Sequence, residues 1–369
     1  MIKSAGRFRI LQLFFAPLLA CSNLIGAEDE PMVKVTVKPE PAYIERRDGA
    51  QSVNFDFALE NLSASPLVLS RIEVSASDKS DKLIARKFLD GNGSSPNILT
   101  IPNREIPSHG AVLVFNPFPQ FDQRMVLASL RYDFTFRGKG DKPVTTEAQL
   151  TVRPINYNTK TGLILPLQKR LMVYDGHDFY AHHRRFDLLN PFLQQAGFSA
   201  NCMRYAYDLC LVNDKGEMNN GPESKNESWY GFGADIHAPG DGKIAALFDG
   251  MPDNRNFNEK DLATRPLVIF GNYVVIDHLN GEFSLLAHAR QGSVRPKIGQ
   301  AVKQGEVIAQ VGASGSANFP HLHYELQTGL DVKSEGLPSY FRSFRRVLGE
   351  HSVDVPLGQI DTGDIIESQ

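Results

Sequence analysis

Alternating apolar and polar positions dominate the first half of the chain. Clusters of turn-forming residues, such as "DGNGSSPN" and "RGKGDKP", separate the alternating runs. The runs are residues 33–37, 53–59, 112–115, 130–136 and 148–152. Short strands at these intervals, with no helical period between them, are typical of an antiparallel β-sandwich. We therefore predict an immunoglobulin-like sandwich over residues 32–154.

Glycine-punctuated strands return in the second half, after the linker "INYNTKTG". The segments "NYVVIDH" and "EFSLLAH" flank Asn280-Gly281, and Asn-Gly is the strongest short signal for a β-hairpin. A two-residue turn there would pair His278 with Phe283. Because side chains alternate along a strand, this register directs His278 and His288 to opposite faces of the sheet.

One stretch of the second half favours a helix. In "HHRRFDLLNPFLQQAG", Pro191 breaks the pattern and Gly197 is suited to end the helix. We therefore predict a mainly β protein, with an antiparallel β-domain carrying short helical insertions over residues 155–345. Residues 346–369 are predicted to form a C-terminal tail.

The first 27 residues have the pattern of an export signal. Basic residues precede the apolar run "ILQLFFAPLLA", which is too short to span a bilayer, and small residues follow it. We predict a signal peptide over residues 1–27 and a mature protein in the periplasm or cell envelope. "LLAC" also resembles a lipoprotein box, so a lipid anchor at Cys21 stays open beside cleavage after Ala27.

Composition narrows the class of protein. The 369 residues are 42% hydrophobic and 22% charged with a net charge of −3, which is ordinary for a globular chain and gives no indication of a nucleic-acid partner. Cys202 and Cys210 are eight positions apart, which is about 26 Å along a straight strand. These two cysteines are therefore predicted to be unpaired.

The segment "FPHLHYEL" carries the strongest chemical signal. His321 and His323 point to the same face of a strand, about 6–7 Å apart. That separation suits two imidazoles flanking one small object, such as a metal ion with a bound water molecule. The alternative is a pair of solvent-facing histidines on a half-buried strand.

Several motifs together resemble a known family. They are "RYAYDL" around Asp208, "HAPGDGKI", "LLAHA" around His288 and the ending "GASGSANFPHLHYEL". With these motifs, residues 200–328 resemble the lysostaphin-type, LytM-like zinc metallopeptidases, which are cell-wall endopeptidases. The resemblance implies a LytM-like β-domain and a peptide of peptidoglycan as substrate.

The resemblance also implies roles for individual residues. Asp208 and His323 correspond to ligands of Zn²⁺, and His288 and His321 correspond to residues that assist the reaction. Zinc with nitrogen and carboxylate ligands keeps a position open for water and lowers the pKa of that water. The histidines are then suited to take up a proton and stabilise the developing oxyanion.

The sequence departs from the family at the first metal ligand. The family has a histidine four residues before the aspartate, and this chain has Arg204, which stays protonated and cannot bind zinc. His278 faces away by the hairpin register and His237 lacks motif support, so His182 and His183 remain. Related proteins with one upstream histidine before a "RYAYD"-like strand favour His183 as the third ligand.

Two other classes of function stay in view. A LytM-like protein that has lost zinc would be an inactive binding protein that regulates another cell-wall hydrolase. The run "IGQAVKQGEVIAQVG" also resembles biotinyl and lipoyl carrier domains, but the chain lacks their Met-Lys dipeptide. The N-terminal region holds no candidate chemistry, and we predict that it positions the enzyme or binds a cell-wall protein.

Overall fold

The computed structural model describes Met1 and residues 31–47, 49–139 and 144–369. Residues 32–369 form one compact unit, and most of its regular structure is β-strand, which confirms the predicted class. Apart from Met1, the predicted signal peptide, with Cys21, lies outside the described residues. Among the described residues, no helix is both long and apolar enough to cross a membrane.

The described part of the N-terminal region has three small sheets that enclose one apolar core. Its strands are β1 Val33–Lys38, β2 Tyr43–Arg47, β3 Ala50–Val53, β4 Asp56–Asn61, β5 Leu67–Ser77, β6 Leu83–Leu89, β7 Glu105–Ile106, β8 Ala111–Phe115, β9 Gln120–Asp122, β10 Ser129–Gly138, β11 Thr145–Val152 and β12 Ile155–Asn156. The strand orders are β1-β4-β8, β11-β10-β5-β6 with β7 beside β5, and β12-β2-β3-β9. The immunoglobulin-like assignment of this region stays a prediction.

A large antiparallel sheet organises the second region, in the order β19-β16-β17-β18-β21-β14-β13-β25-β23-β24, with β22 beside β21. Its strands are β13 Arg170–Asp175, β14 Tyr207–Leu211, β16 Gly242–Phe248, β17 Asn272–Asp277, β18 Phe283–Ala289, β19 Ala301–Val302, β21 Leu322–Gln327, β22 Gly336–Leu337, β23 Phe341–Leu348, β24 His351–Gly358 and β25 Ile365–Ser368. A separate pair is formed by β15 Asp235–His237 and β20 Val307–Gln310. The described helices are α1 Pro191–Gln195 and the 3-10 turns Asn97–Thr100, Asn226–Ser228, Glu259–Ala263 and Pro266–Phe270.

Both faces of the middle of this sheet are covered. Along β17, Val274 and Ile276 enter one apolar core and Val275 enters another. A strand buried on both faces needs apolar residues at successive positions, which explains the continuous run in "YVVI". The second core also contains Leu285 and Ala287 of β18, and the candidate site lies on this face.

Two expectations for the second region need correction. The predicted helix over residues 182–197 is limited to α1, where Pro191 is the first residue and Asn190 accepts a hydrogen bond from Phe192 N at 2.9 Å. Proline is favoured at a helix start because its missing N–H has no partner there in any case. Residues 346–369 are not a separate tail, because they supply the end of β23, β24 and β25 to the large sheet.

The cysteine prediction is confirmed. Cys202 and Cys210 are both buried and free. Burial raises the pKa of each thiol well above its ordinary value. Both side chains therefore act as small apolar groups rather than as nucleophiles.

Candidate active site

Three neighbouring strands bring candidate residues together on one face. Asp208 of β14 lies directly opposite His323 of β21, and His323 lies opposite Ala287 of β18. His323 Nδ1 lies 3.0 Å from Asp208 Oδ1. Strand pairing therefore accounts for this contact between residues 115 positions apart in the sequence.

His288 reaches the same face through a β-bulge. The observed pairs are Asp277 with Phe283 and Tyr273 with Ala287, so the predicted two-residue register is wrong by one position. Regular alternation from this register would put His278 and His288 on one face. Instead, His288 is the extra residue of a bulge and has φ +61°. Bulges of this kind re-aim a side chain, often beside an active site.

His278 lies away from the candidate site, as expected, but for a different reason. Its Nδ1 donates to Asp241 O at 2.8 Å, and its Nε2 lies 2.8 Å from Ser284 Oγ. Both ring nitrogens are thus engaged in structural contacts. His237, which lacks motif support and was expected at the surface, is instead buried and donates to Gly305 O at 2.9 Å from Nδ1.

His321 and His323 both face Asp208. His321 Nε2 lies 3.5 Å from Asp208 Oδ1, and its ring centroid is 4.8 Å from that of His288. His321 Nδ1 donates to Phe319 O at 2.8 Å, and His288 Nδ1 donates to Ser314 O at 2.9 Å. Because a neutral imidazole carries one proton, these bonds leave the lone pair of each ring on Nε2.

His183 joins the group from the loop that follows β13. Its Nε2 lies 3.5 Å from Asp208 Oδ1, and its Nδ1 lies 3.1 Å from Gly176 O, to which it donates. This bond again leaves the Nε2 lone pair directed at the site. The adjacent His182 is different, because 67% of its side chain is exposed and its Nδ1 lies 2.5 Å from Asp175 Oδ2.

Asp175 was not anticipated from the sequence. Its Oδ2 also lies 3.4 Å from His183 Nδ1, and potential ligand atoms of Asp175, His182, His183 and Asp208 all lie within 4.8 Å of one another. This group overlaps the predicted ligand set at His183 and Asp208. A cross-strand bulge at the end of β13 brings Asp175 opposite Asp208, and nothing in "VYDGHD" indicates that register.

The donor atoms around Asp208 fit a zinc ion. Atoms bound at about 2.0–2.2 Å to a tetrahedral ion lie about 3.3–3.6 Å from one another. The separation from Asp208 Oδ1 to His183 Nε2 is 3.5 Å, within that range, and the separation to His323 Nδ1 is 3.0 Å, slightly below it. His323 Nε2 lies 3.3 Å from Glu325 Oε2, so Glu325 can fix the ring orientation as outer carboxylates do in metal sites.

The pKa values of the site residues follow from burial and charge. Burial lowers the pKa of His323, but the hydrogen bonds to Asp208 and Glu325 outweigh it and raise this pKa to about 9. Burial would raise the pKa of Asp208, but the surrounding histidines hold it well below its usual value. Burial and the nearby His321 lower the pKa of His288 well below its usual value, so His288 is neutral at pH 7.

The histidines and Asp208 line a cavity of about 490 Å³. Aromatic residues form part of its wall, and Tyr174 packs edge-on against Phe319 with ring centroids 4.8 Å apart. Trp229 stacks on Phe319 at 4.8 Å and donates from Nε1 to Glu223 O at 3.0 Å. Trp229 is therefore a packing residue behind this wall.

Arg204 lies four residues before Asp208, where the resemblance implied a metal ligand. The side chain is completely buried. Arg204 Nη1 lies 2.7 Å from Asp56 Oδ2, and its Nε lies 2.7 Å from Glu335 Oε1. At this position the chain therefore has a buried ion pair with the N-terminal region.

Comparisons with known proteins agree with this picture. Residues 230–334 match the sequence model of Peptidase family M23. The chain is 34% identical over 106 residues to the cell division protein DipM of Caulobacter vibrioides, covering 29% of this chain and 16% of that protein. It is 36% identical over 93 residues to the peptidoglycan DD-endopeptidase ShyC of Vibrio cholerae, covering 25% of this chain and 19% of that protein.

The catalytic domain of lysostaphin from Staphylococcus simulans is a similar solved structure. The match has 17% identity and a TM-score of 0.24, and it covers 38% of this chain and 79% of that domain. The chain spans less than a fifth of the length of the two curated relatives named above.

The β-domain holds a cluster of histidines and aspartates that lines a cavity, and metallopeptidases use sites of this type to hold zinc. Residues 230–334 form a peptidase M23 region of the lysostaphin and LytM type, which is related to peptidoglycan DD-endopeptidases. The resemblance seen in the sequence is thereby confirmed. The M23 family is zinc-dependent.

Proposed function

We propose that this protein is a zinc metalloendopeptidase that cleaves peptide cross-links of peptidoglycan. The proposed metal ligands are His183 Nε2, Asp208 and His323 Nδ1, and the proposed catalytic residues are His288 and His321. The observation that supports the proposal is the convergence of ring nitrogens of His183, His321 and His323 on Asp208 Oδ1 within 3.0–3.5 Å. The ring centroid of His288 lies 4.8 Å from that of His321.

Zinc held by this set would lower the pKa of a water molecule and polarise a peptide carbonyl. The residues of the chain supply the rest of the chemistry. His321 and His288 have their Nδ1 protons engaged by backbone carbonyls, so Nε2 of either ring is able to accept a proton from the attacking water. The protonated ring can then give that proton to the leaving amine.

The same rings also suit the developing negative charge. A carbonyl attacked in this cavity gains charge on its oxygen, and a protonated imidazole beside it stabilises that charge. Burial strengthens the interaction because the site is shielded from water. The aromatic wall of Tyr174 and Phe319 lies along the same cavity and would hold the apolar parts of a peptide.

Peptidoglycan is the proposed substrate because ShyC, a relative of this region, is a peptidoglycan DD-endopeptidase. The proposed location is the periplasm or cell envelope, since the chain begins with the basic, apolar and small residues of an export signal. We also propose that residues 32–154 and residues 155–345 are the two domains of the protein. The N-terminal part would then position the enzyme on the cell wall.

The purified protein tests the proposal directly. We expect about one zinc ion per chain and release of cross-linked peptides from isolated peptidoglycan. His288→Ala and His321→Ala should each lower cleavage by about two to four orders of magnitude, because a general acid–base group and an oxyanion donor are lost. Both variants should retain zinc.

The outcomes separate the competing functions. A protein with no zinc and no cleavage would be a binding protein with an M23-like domain. If His288→Ala or His321→Ala loses zinc, the residue is a metal ligand and its assignment as a catalytic residue is wrong.

A further inference from the structure

A buried ionic cluster joins the N-terminal region, residues 32–154, to the region that follows it. We call this second part, residues 155–369, the metallopeptidase region. Asp56 Oδ1 pairs with Arg184 Nη1, and Asp56 Oδ2 lies 2.7 Å from Arg204 Nη1. Arg204 Nε lies 2.7 Å from Glu335 Oε1. The side chains of Asp56, Arg184 and Arg204 are at most 1% exposed. We call these four residues the Asp56 cluster.

The cluster is balanced in charge, with two arginines and two carboxylates. Buried charges are stable only when they are paired and hydrogen-bonded, and removal of one partner leaves the others uncompensated. Asp56 contacts both arginines, and it comes from β4 in the N-terminal region. Without Asp56, the guanidinium groups of Arg184 and Arg204 would repel each other with Glu335 as their remaining counter-charge.

The cluster lies next to a proposed metal ligand in the chain. His183 is on a loop without regular secondary structure, so contacts with other elements must hold it in place. Arg184 Nη2 donates to Phe55 O at 2.9 Å. The guanidinium of Arg185 lies 4.5 Å from the ring centroid of Phe115. Both residues that follow His183 are therefore attached to the N-terminal region.

A second contact reaches His183 from the Arg204 side of the cluster. Asn201 Nδ2 donates to His183 O at 3.0 Å, and Arg204 N donates to Asn201 O at 3.1 Å. Asn54 Nδ2 in turn lies 3.3 Å from Arg204 O. The backbone of His183 is thus held between two segments that both end on the Asn54–Asp56 stretch.

We propose that Asp56, acting through Arg184, is a positioning residue for the metal site, so that the N-terminal region holds His183 at its ligand position. This inference rests on the proposed zinc site. A ligand on an irregular loop binds metal tightly only when surrounding contacts fix its orientation. The Asp56 cluster supplies those contacts, which explains why a buried arginine occupies position 204.

Affinity for Zn²⁺ alone, measured by competition with a chelator, tests this role in the full-length chain. We expect Asp56→Asn to weaken zinc binding about 10–100-fold, as loss of outer partners does in other metal sites. Arg184→Met leaves the Asp56–Arg204 pair intact and should weaken zinc binding by a comparable factor. The visible absorption of the Co²⁺-loaded protein should change in both variants, since it reports the ligand geometry.

Glu282→Gln is the matched control. Glu282 is also a fully buried carboxylate, and it joins the linker to the sheet by accepting hydrogen bonds from Tyr157 Oη at 2.6 Å and Thr161 N at 2.8 Å. It does not line the cavity of the metal site. This variant should lose thermal stability and keep the zinc affinity of the parent within about twofold.

Each result has a definite meaning. If Asp56→Asn and Arg184→Met bind zinc like the parent, the inference is wrong and the zinc site stands. If Glu282→Gln weakens zinc as much as they do, the effect is general destabilisation and the inference is also wrong. If Asp56→Asn does not fold, the zinc affinity of Arg184→Met decides whether the inference holds. A parent that binds no zinc would overturn the proposed function, and this inference with it.

Discussion

The choice between His182 and His183 is made at the scale of single side chains. His183 is buried with Nδ1 bonded to Gly176 O, whereas His182 is exposed and bonded to Asp175. Loss of a residue that only supports a metal ligand weakens metal binding about 10–100-fold. We expect His183→Ala, which removes a ligand itself, to weaken zinc binding by a larger factor. His182→Ala should keep most of the zinc and most of the activity, and metal analysis with a cleavage assay checks both.

The opposite pattern would move the ligand by one residue and leave the mechanism unchanged. A double variant that binds zinc like the parent would mean that neither histidine is a ligand.

His323 makes the metal-free protein sensitive to pH. Its pKa is raised to about 9 in the folded state, from about 6.5 in an unfolded chain. A group of this kind contributes stability that is fully present below pH 6.5 and is lost as the pH rises through 9. The pKa of His182 is also raised, because the hydrogen bond to Asp175 and the charge of Asp175 outweigh partial desolvation of the ring, and His182 acts in the same direction.

We therefore expect the free energy of unfolding of the chelator-treated protein to fall between pH 6.5 and 9. Denaturant titrations at successive pH values measure this change. Asp208, with its lowered pKa, stays ionised throughout the window and does not alter the sign. His323→Gln should flatten the profile. A free energy that rises with pH in the parent would show that the proton between Asp208 and Glu325 is not held as described.

At the scale of elements, the bulge at His288 depends on the close contact between the backbones of Gly315 and Gly271. Ser314 O accepts the hydrogen bond from His288 Nδ1 at 2.9 Å. The neighbouring Gly315 has φ +68°, and a Cβ there would overlap the backbone of Gly271. We expect Gly315→Ala to displace Ser314 and lower the rate of cleavage at least about tenfold, since proton transfer requires hydrogen-bond distance.

Gly305→Ala is the control for this element. Gly305 has φ +82°, and no atom lies within 4 Å of the position that a Cβ would take there. The variant therefore carries the left-handed strain of about 1–2 kcal/mol without the collision. Thermal unfolding should show a loss of stability in both variants, and peptidoglycan cleavage should fall only in Gly315→Ala. Equal cleavage rates in the two variants would mean that the geometry of the bulge does not affect catalysis.

At the scale of the whole molecule, two buried polar networks cross between the N-terminal and metallopeptidase regions. One is the Asp56 cluster. In the other, Glu45 Oε2 lies 2.8 Å from His177 Nε2 and accepts from Gln359 Nε2 at 2.8 Å. If one region unfolded alone, the charged groups of the other region would lose their partners, which is unfavourable wherever those groups stay shielded from water.

We therefore expect the two regions to unfold together. Trp229, the single tryptophan, reports on the metallopeptidase region by fluorescence, and far-UV circular dichroism reports on the strands of both regions. Coincident transitions in denaturant would indicate one cooperative unit. A dichroism transition that is clearly separated from the fluorescence transition would mean that the networks do not couple the regions.

The features that the sequence determined are local ones. Period-two alternation and turn residues predicted a mainly β chain, because a strand's side-chain pattern is written in consecutive residues. The H-x-H spacing put His321 and His323 on one face for the same reason. The motifs around Asp208 and His288 indicated the family, which residues 230–334 confirm.

The features that only the tertiary structure decided depend on distant partners. The hairpin register shifted by one position, and the bulge at His288 forms where β17 meets β18, a pairing that no local pattern specifies. The segment after His183 is not helical, because Arg184 and Arg185 are held by the N-terminal region. Tertiary contacts outweigh intrinsic propensity there.

Arg204 shows the same division most clearly. The sequence identified it as a residue unable to bind zinc, since a guanidinium has no lone pair to offer. That it pairs with Asp56, 148 residues away, follows only from the packing of two regions against each other. A buried charge takes its role from whichever opposite charge the fold brings beside it.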